Sequence, residues 1–369
     1  MKRRDFVKAG ICLGGAGAIA SVIPLMKKEG ITSLSDIEIF LKERKFFFKN
    51  EKELPKELKL DICNLCQLNC VECVIRKNEE AIKKAGGFGY ISFETFKNLI
   101  DRYPFLSIFE LSNHGEIFLN PELEDIVKYA YEKYIVLTAR NGVNLNTISE
   151  RMIEALVKYQ FRQITVSIDG ATPETYAIYR RGGDFNTVIN NIKLINKYKE
   201  KYNSPYPILD YKYILFGHNE HEIEKAKMLA DKLNMNILFE VNYAPDYSPV
   251  INKEKVLQQT GLLTLESHLN QYYELYKTKQ TWWFFCVNLF TYPQFDYNGD
   301  LLGCCLNLTE NFGTNLFKDG LLNSLNNAKV LYAKLMLTDL DVTPDKSVPC
   351  CNCDIYKLLK SENYPIRLT

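Results

Sequence analysis

The 369-residue sequence has no surplus of either charge: Lys and Arg total 46, Asp and Glu 45, and the formal net charge is +1. That balance gives no electrostatic reason to expect a nucleic-acid partner. No apolar run approaches the ~20 residues of a membrane-spanning helix. Cysteine is absent from position 74 to position 285, although the chain has 11. A secreted disulfide scaffold is usually short and spreads its cysteines along the chain. Here all but Cys12 fall in tight groups, a placement that argues against a disulfide framework and for metal ligands. Hydrophobic residues at 46% and charged residues at 25% are globular, which argues against a mostly disordered chain. The length predicts two domains, or one large α/β barrel with an appendage.

The chain begins MKRRDFVKAGICLGGAGAIASVIPLMKK. Arg3 and Arg4 precede Phe6 and Lys8. A mild Gly/Ala-rich stretch follows from Ala9 to Met26, with Ala18-Ile19-Ala20 as a candidate cleavage site. This resembles a twin-arginine export signal. The alternative is a basic, loosely membrane-associated leader that is never exported. Cys12 follows Ile11, so it lacks the small neighbour of a lipoprotein cysteine. We expect a leader over 1–28 and a helix and linker over 29–57, closed by Pro55.

Apolar β-type runs then alternate with amphipathic runs. Strands are predicted at 58–62, 106–112, 134–138, 163–168, 208–216 and 236–241. Helices are predicted near 93–103, 121–133, 147–158, 186–201 and 220–233. Ile148, Met152, Ile153 and Leu156 fall at helical spacing, and Pro121 suits a helix start, where its missing N–H costs little. Six strands alternating with helices predict parallel units with right-handed crossovers. Six are too few for an eight-fold barrel, so an α/β, partial (β/α)6 TIM-like barrel is expected over 58–255. A small cysteine-bearing domain is expected over 256–369.

Directly after the first strand comes Cys66-Gln67-Leu68-Asn69-Cys70-Val71-Glu72-Cys73, a C-x3-C-x2-C spacing. Three thiolates so spaced can hold three irons of a cubane cluster and leave the fourth open. Zinc is the competing metal, because soft thiolates suit both. The run resembles the signature loop of the radical SAM enzymes. Further segments resemble that family, each at a predicted strand end. Asn113-His114-Gly115-Glu116 is similar to its Gly-Gly-Glu segment, with His114 where a glycine is usual and Ile117 where proline is usual. Asn141-Gly142 is similar to its Thr-Asn-Gly. Ser167-Ile168-Asp169-Gly170, then Thr172-Pro173-Glu174-Thr175-Tyr176 and Arg180-Arg181-Gly182-Gly183, resemble the stretch found in members that also carry a SPASM or Twitch domain. The resemblance covers roughly residues 58–245.

Each segment also has a bland reading. Glu116 could be a solvated acid, Ser167 and Asp169 a strand-end cap, and Gly182-Gly183 a turn. Cys63 reads as a small buried residue. His218 and His221 open a predicted helix with no third ligand nearby, so capping and solvation explain them better than zinc.

The second cysteine group begins with Cys286. Gly299 and Cys304 follow at the spacing of half a SPASM/Twitch pattern, and Cys350-Cys351-Asn352-Cys353 comes later. Asn298-Gly299 is a hairpin turn signal, expected to bring Cys286 and Cys304 onto adjoining strands. With Cys350 and Cys353 that makes four thiolates, enough for one cluster. Cys305 and Cys351 are adjacent alternatives, and structural zinc is again the competing reading.

The resemblance implies that Cys66, Cys70 and Cys73 hold a SAM-binding [4Fe-4S] cluster. It implies that Gly115, Glu116, Asn141, Ser167, Asp169 and Arg180 bind S-adenosylmethionine (SAM), and that Cys286, Cys304, Cys350 and Cys353 hold one auxiliary [4Fe-4S] cluster. It implies reductive cleavage of SAM to a 5′-deoxyadenosyl radical, an electron donor of flavodoxin or ferredoxin type, and a peptide, protein or sugar substrate. No nucleic acid is expected. Function on the cytoplasmic side is expected, with the leader as a membrane address and export as the alternative. The alternative function is a non-catalytic iron–sulfur electron-transfer or binding protein.

Overall fold

The computed structural model describes residues 23–24, 26–44, 48, 53–266 and 285–366. Most of the predicted leader, with Cys12, and the aromatic run Trp282 to Phe284 lie outside them. No helix among the described residues is long and apolar enough to cross a membrane.

In chain order the elements used below are α1 (Leu34–Arg44), β1 (Glu57–Leu60), α2 (Val74–Lys77), α3 (Glu79–Lys84), α4 (Phe93–Arg102), β2 (Ile108–Glu110), α5 (Leu123–Glu132) and β3 (Val136–Val143). Then come α6 (Glu150–Lys158), β4 (Gln163–Ser167), α7 (Pro173–Tyr179), α8 (Phe185–Lys201), β5 (Ile208–Leu215), α9 (Ile223–Lys232), β6 (Asn236–Val241) and α10 (Lys253–Thr260). The rest are α11 (Asn288–Thr291), β7 (Gln294–Phe295), β8 (Leu301–Gly303), α12 (Leu321–Leu325), α13 (Ala328–Thr338) and α14 (Asp354–Ser361). The chain divides into two compact units. One comprises residues 61–98 and 109–281, the other 1–60, 99–108 and 282–369.

In the first unit the strands lie in the order β6-β5-β4-β3-β2. β3 to β6 pair in parallel, each joined to the next through a helix. This is an α/β fold with a parallel-dominant sheet, as the alternating pattern predicts. β5 is buried along nearly its whole length, as a strand covered on both faces must be. The helices are set by their caps. Ser149 accepts from Met152 N at the start of α6, and Asp184 accepts from Thr187 N at 2.6 Å at the start of α8. Met152, Ile153 and Leu156 are buried as their spacing predicts, and α6 packs on α8.

Two local differences from the sequence reading concern the site. α7 was not predicted as a helix, yet Thr172 caps it and Pro173 occupies its first turn. β3 runs on through Asn141-Gly142 instead of ending before them. The extension follows from an irregular register against β4 between Ala139 and Val143. There the main-chain N–H groups of Arg140 and Asn141 turn to the side chains of Glu110 and Ser112.

In the second unit β1 pairs in parallel with β7, and β7 pairs antiparallel with β8 through the Asn298-Gly299 turn. Gly299 has φ +90, the conformation that such a turn reserves for glycine. α13 is buried along almost its whole length and packs on α1.

Candidate functional site

Cys66, Cys70 and Cys73 occupy the loop that follows β1, and all three are free thiols. Main-chain bonds hold the loop: Asn69 N donates to Arg181 O at 2.8 Å, and Glu116 N to Leu65 O at 2.7 Å. Arg76, on α2, clamps it from within, donating to the carbonyls of Cys66 at 2.5 Å and Leu68 at 3.0 Å. Sequence reasoning missed Arg76, whose only signal is a basic residue three positions after Cys73. Leu68, Cys70, Tyr179, Ile214 and Phe216 form an apolar cluster, with Cys66, Cys73 and Tyr247 packed against it.

Among the described residues no group of three or more His, Cys, Asp or Glu side chains is gathered as a ready site for a metal ion. The three thiols are near enough to feel one another's charge without converging on one ion. A cubane takes thiolates at separate corners, so the donor set suits it better than a mononuclear ion. Two sulfurs also receive side-chain N–H donors, as a thiolate would. Arg180 Nη1 lies 3.7 Å from Cys70 Sγ, and Asn144 Nδ2 lies 3.9 Å from Cys66 Sγ. Without metal, burial pushes the Cys66 thiol up to about 11. Burial also raises Cys70, with the Arg180 guanidinium opposing it.

The strand-end residues gather beside this loop. Gly115 has φ +76, and a Cβ there would come 2.5 Å from Asn64 Cα and from Cys63 O. The turn therefore lies backbone to backbone on the cysteine loop. Glu116 is buried and spends its carboxylate on the main-chain N–H groups of Asn144 (2.6 Å) and Phe118 (3.3 Å). Burial outweighs those bonds and pushes it up to about 7. It is not the solvated acid of the bland reading. Ser167 is buried at the end of β4, with its hydroxyl in the space that Gly142 leaves open. Asp169 holds the left-handed φ of 56, accepts from Ile214 N at 2.7 Å and pairs with Arg180. Burial raises the Asp169 carboxyl against the pull of Arg180.

His114, the departure from the family pattern, is also buried. Its Nδ1 lies 3.0 Å from Asp61 Oδ2, and its Nε2 lies 2.9 Å from Asn113 Nδ2. Asn113 Oδ1 accepts from Asn141 Nδ2 at 2.6 Å. The carbonyl of Asn141 accepts from Lys212 Nζ at 3.2 Å, and Lys212 pairs with Glu240. A continuous polar chain thus crosses the ends of β2, β3, β5 and β6. Sequence reasoning missed Asp61, Asn144, Lys212 and Glu240, which sit in strand or loop runs with no motif around them. Cys63 is buried, as expected. His218 bonds Ser248 Oγ through Nδ1 at 2.8 Å and stacks on Phe216.

The other unit gathers the second cysteine group. Cys286 sits in a 3-10 turn (Phe285–Val287), not on a strand as the hairpin reading expected, because the hairpin is short and begins eight residues later. Cys304 directly follows β8. Cys350 lies in the 3-10 turn Pro349–Asn352, and Cys353 is the N-cap of α14. Cys286 feels the charges of Cys304, Cys350, Cys353 and Cys305, which places these thiols in one neighbourhood. Burial pushes Cys304 up to about 12 and also raises Cys286 and Cys350. Asn288 Nδ2 donates to Cys305 at 3.7 Å. Cys286 is buried and Cys304, Cys305, Cys350 and Cys353 are half-buried, so this neighbourhood, like the first, offers several soft donors of the type a cubane takes at separate corners.

Fold and cysteine loop together define the class. Residues 60–230 match the family model of the Radical SAM superfamily, and the chain carries a domain of that superfamily. It is 23% identical over 235 residues to a GTP 3',8-cyclase of Clostridium botulinum (strain Okra / Type B1), covering 61% of this chain and 70% of that protein. Among solved structures, Streptococcus suis SuiB bound to precursor peptide SuiA aligns with TM-score 0.57 and 14% identity over 88% of this chain and 74% of that one. Native anSMEcpe with bound AdoMet aligns with TM-score 0.54 and 13% identity over 82% of this chain and 88% of that one. These likenesses to solved structures establish the fold, and the second of those structures holds AdoMet.

Proposed function

We propose that this protein modifies a peptide or protein side chain by radical SAM chemistry, assisted by an auxiliary cluster in its second unit. The observation that carries the proposal is the pairing of two separate free-thiol groups, one on the loop after β1 and one around Cys286. A lone electron carrier has no use for the polar strand ends beside the first group.

Cys66, Cys70 and Cys73 hold the first cluster, and Arg76 fixes their loop. Gly115 gives close backbone approach. Glu116, Asn141, Ser167, Asp169 and Arg180 orient SAM, and the apolar cluster around Tyr179 and Phe216 excludes water. The bound cofactors supply a 5′-deoxyadenosyl radical that takes hydrogen from an unactivated carbon. Cys286, Cys304, Cys350 and Cys353 would hold the auxiliary cluster, which would supply an acceptor for the electron that the substrate radical loses on becoming oxidised product. The likeness to SuiB over most of the chain favours a peptide over a sugar. An electron donor of flavodoxin or ferredoxin type and a cytoplasmic-side location belong to the same proposal, since SAM and such donors are cytosolic.

Anaerobic reconstitution tests it. The chain should bind about eight irons, the stoichiometry of two cubanes, and form 5′-deoxyadenosine with dithionite and SAM. Cys66→Ala/Cys70→Ala/Cys73→Ala should keep about half the iron, by the same stoichiometry, and lose all cleavage. Zinc in place of iron, or cleavage by the triple variant, defeats the proposal.

A further inference from the structure

Two side chains that reach the cysteine loop from elsewhere in the fold are each locked in place by a partner. Arg180 comes from the end of α7, and Asn144 from the residue after β3. Asp169 binds the Nε and Nη2 edge of Arg180, leaving Nη1 aimed at Cys70 Sγ across 3.7 Å. Asp169 cannot swing away, because Ile214 N holds its carboxylate and Asn219 Nδ2 holds its carbonyl at 3.0 Å. The Tyr179 ring lies 5.2 Å from the guanidinium. Asn144 is held likewise: its Oδ1 accepts from Gln67 Nε2 at 2.7 Å, its main-chain N–H donates to Glu116, and its Nδ2 donates to Gln67 Oε1 at 3.4 Å while facing Cys66 Sγ.

We propose that Arg180, seconded by Asn144, sets the reduction potential of the cluster held by Cys66, Cys70 and Cys73. The inference rests on the radical SAM reading and adds a role to Arg180 that does not depend on SAM. Reduction places one more negative charge on a buried, sulfur-rich group. A donor aimed at a ligating sulfur stabilises the reduced form more than the oxidised form and raises the potential. The Asp169–Arg180 pair is neutral overall, but its positive end faces the sulfur, so it acts as a fixed dipole in a site of low dielectric. A charged donor outweighs a neutral amide at similar distance. Arg180 therefore leads and Asn144 follows.

The test is an EPR-monitored redox titration of the reconstituted full chain without SAM, which removes any contribution of Arg180 to SAM binding. Arg180→Met should keep the iron content and shift the midpoint to more negative potential. Arg180→Lys should shift it less, and Asn144→Ala should give a smaller shift of the same sign. Arg180→Met alone strands the buried Asp169 charge. Arg180→Met/Asp169→Asn removes both charges at similar volume and should still show a negative shift, smaller than that of Arg180→Met because no stranded carboxylate adds to it. A double variant that is folded, iron-loaded and unshifted overturns the inference. A wild-type chain that assembles no EPR-active cubane overturns the radical SAM reading itself.

Discussion

Lys212 Nζ lies 2.9 Å from Glu240 Oε2 and 3.2 Å from the carbonyl of Asn141, joining the end of β6 to the end of β3 proposed to bind SAM. Lys212 is buried, whereas Glu240 is partly exposed. Removing the lysine leaves Glu240 within reach of water but takes a charged donor from Asn141. Such a bond contributes about 1.5–3 kcal/mol. Lys212→Met should therefore weaken SAM binding by roughly tenfold, since tenfold is about 1.4 kcal/mol, with iron content unchanged. Equilibrium dialysis against SAM measures it. Unaltered affinity in the folded variant would show that Asn141 does not depend on Lys212.

Gly115→Ala tests how closely the strand-end turn lies on the cysteine loop. The new Cβ would sit 2.5 Å from the Asn64 main chain, which cannot yield as a side-chain tip can. The variant should lose cluster assembly and at least about 2 kcal/mol of stability. Gly87→Ala is the control. Gly87 has a similar φ of +85 with nothing within 4 Å of a Cβ, so it should lose only the left-handed strain, about 1 kcal/mol. Equal effects on iron content would mean that strain, not contact, governs position 115.

The fold was legible where local chemistry and long-range packing agree. The runs around β4 and β5 are apolar because those parallel strands are covered on both faces, and the observed limits of β4, β5 and β6 match the expected ones within about two residues. β3 was cut short because Arg140 and Asn141 look like a polar loop. Only Glu110, on another strand, explains why Arg140 can remain extended there. The three cysteines of the first loop were visible because their spacing is itself the chemistry. Asp61, Asn144 and Lys212 were not, because each acquires meaning only from a partner at least 50 residues away or on another strand. Cys286 lies in a 3-10 turn, whereas the Asn298-Gly299 hairpin signal downstream drew the expectation towards a strand.

Lys334 offers a pH test in the second unit. It is 1% exposed within α13, its ammonium 5.1 Å from the Phe48 ring and 5.8 Å from the Phe290 ring. Burial lowers its pKa from 10.5 to about 7. The folded state therefore sheds this proton near pH 7, while the unfolded chain keeps it to about 10.5. Between those values the unfolded state binds more protons, so stability rises with pH by about 1.4 kcal/mol per unit. Below pH 7 both states are protonated and the burial penalty is complete. Lys334→Met should remove this rise and be more stable than wild type at pH 7. Denaturant midpoints of the two chains at pH 7 and 9 give the comparison, and subtracting them cancels the cysteine titrations common to both. A difference that does not change with pH would place the lysine charge in solvent.

Cys350→Ala/Cys353→Ala separates the roles of the two thiol groups. Both cysteines flank the start of α14, and neither belongs to the unit that holds Cys66, Cys70 and Cys73. The first cluster should still assemble, and SAM cleavage without substrate should persist near the wild-type rate. Conversion of a true peptide substrate should fall by orders of magnitude, because the radical is still generated but the substrate radical has lost its electron acceptor. Thiolate–metal bonds also contribute folding energy, so circular dichroism and residual iron must match a folded, half-loaded chain before rates are compared. A well-folded double variant that turns over substrate normally would make the second cluster structural and remove the oxidative step from the proposed mechanism.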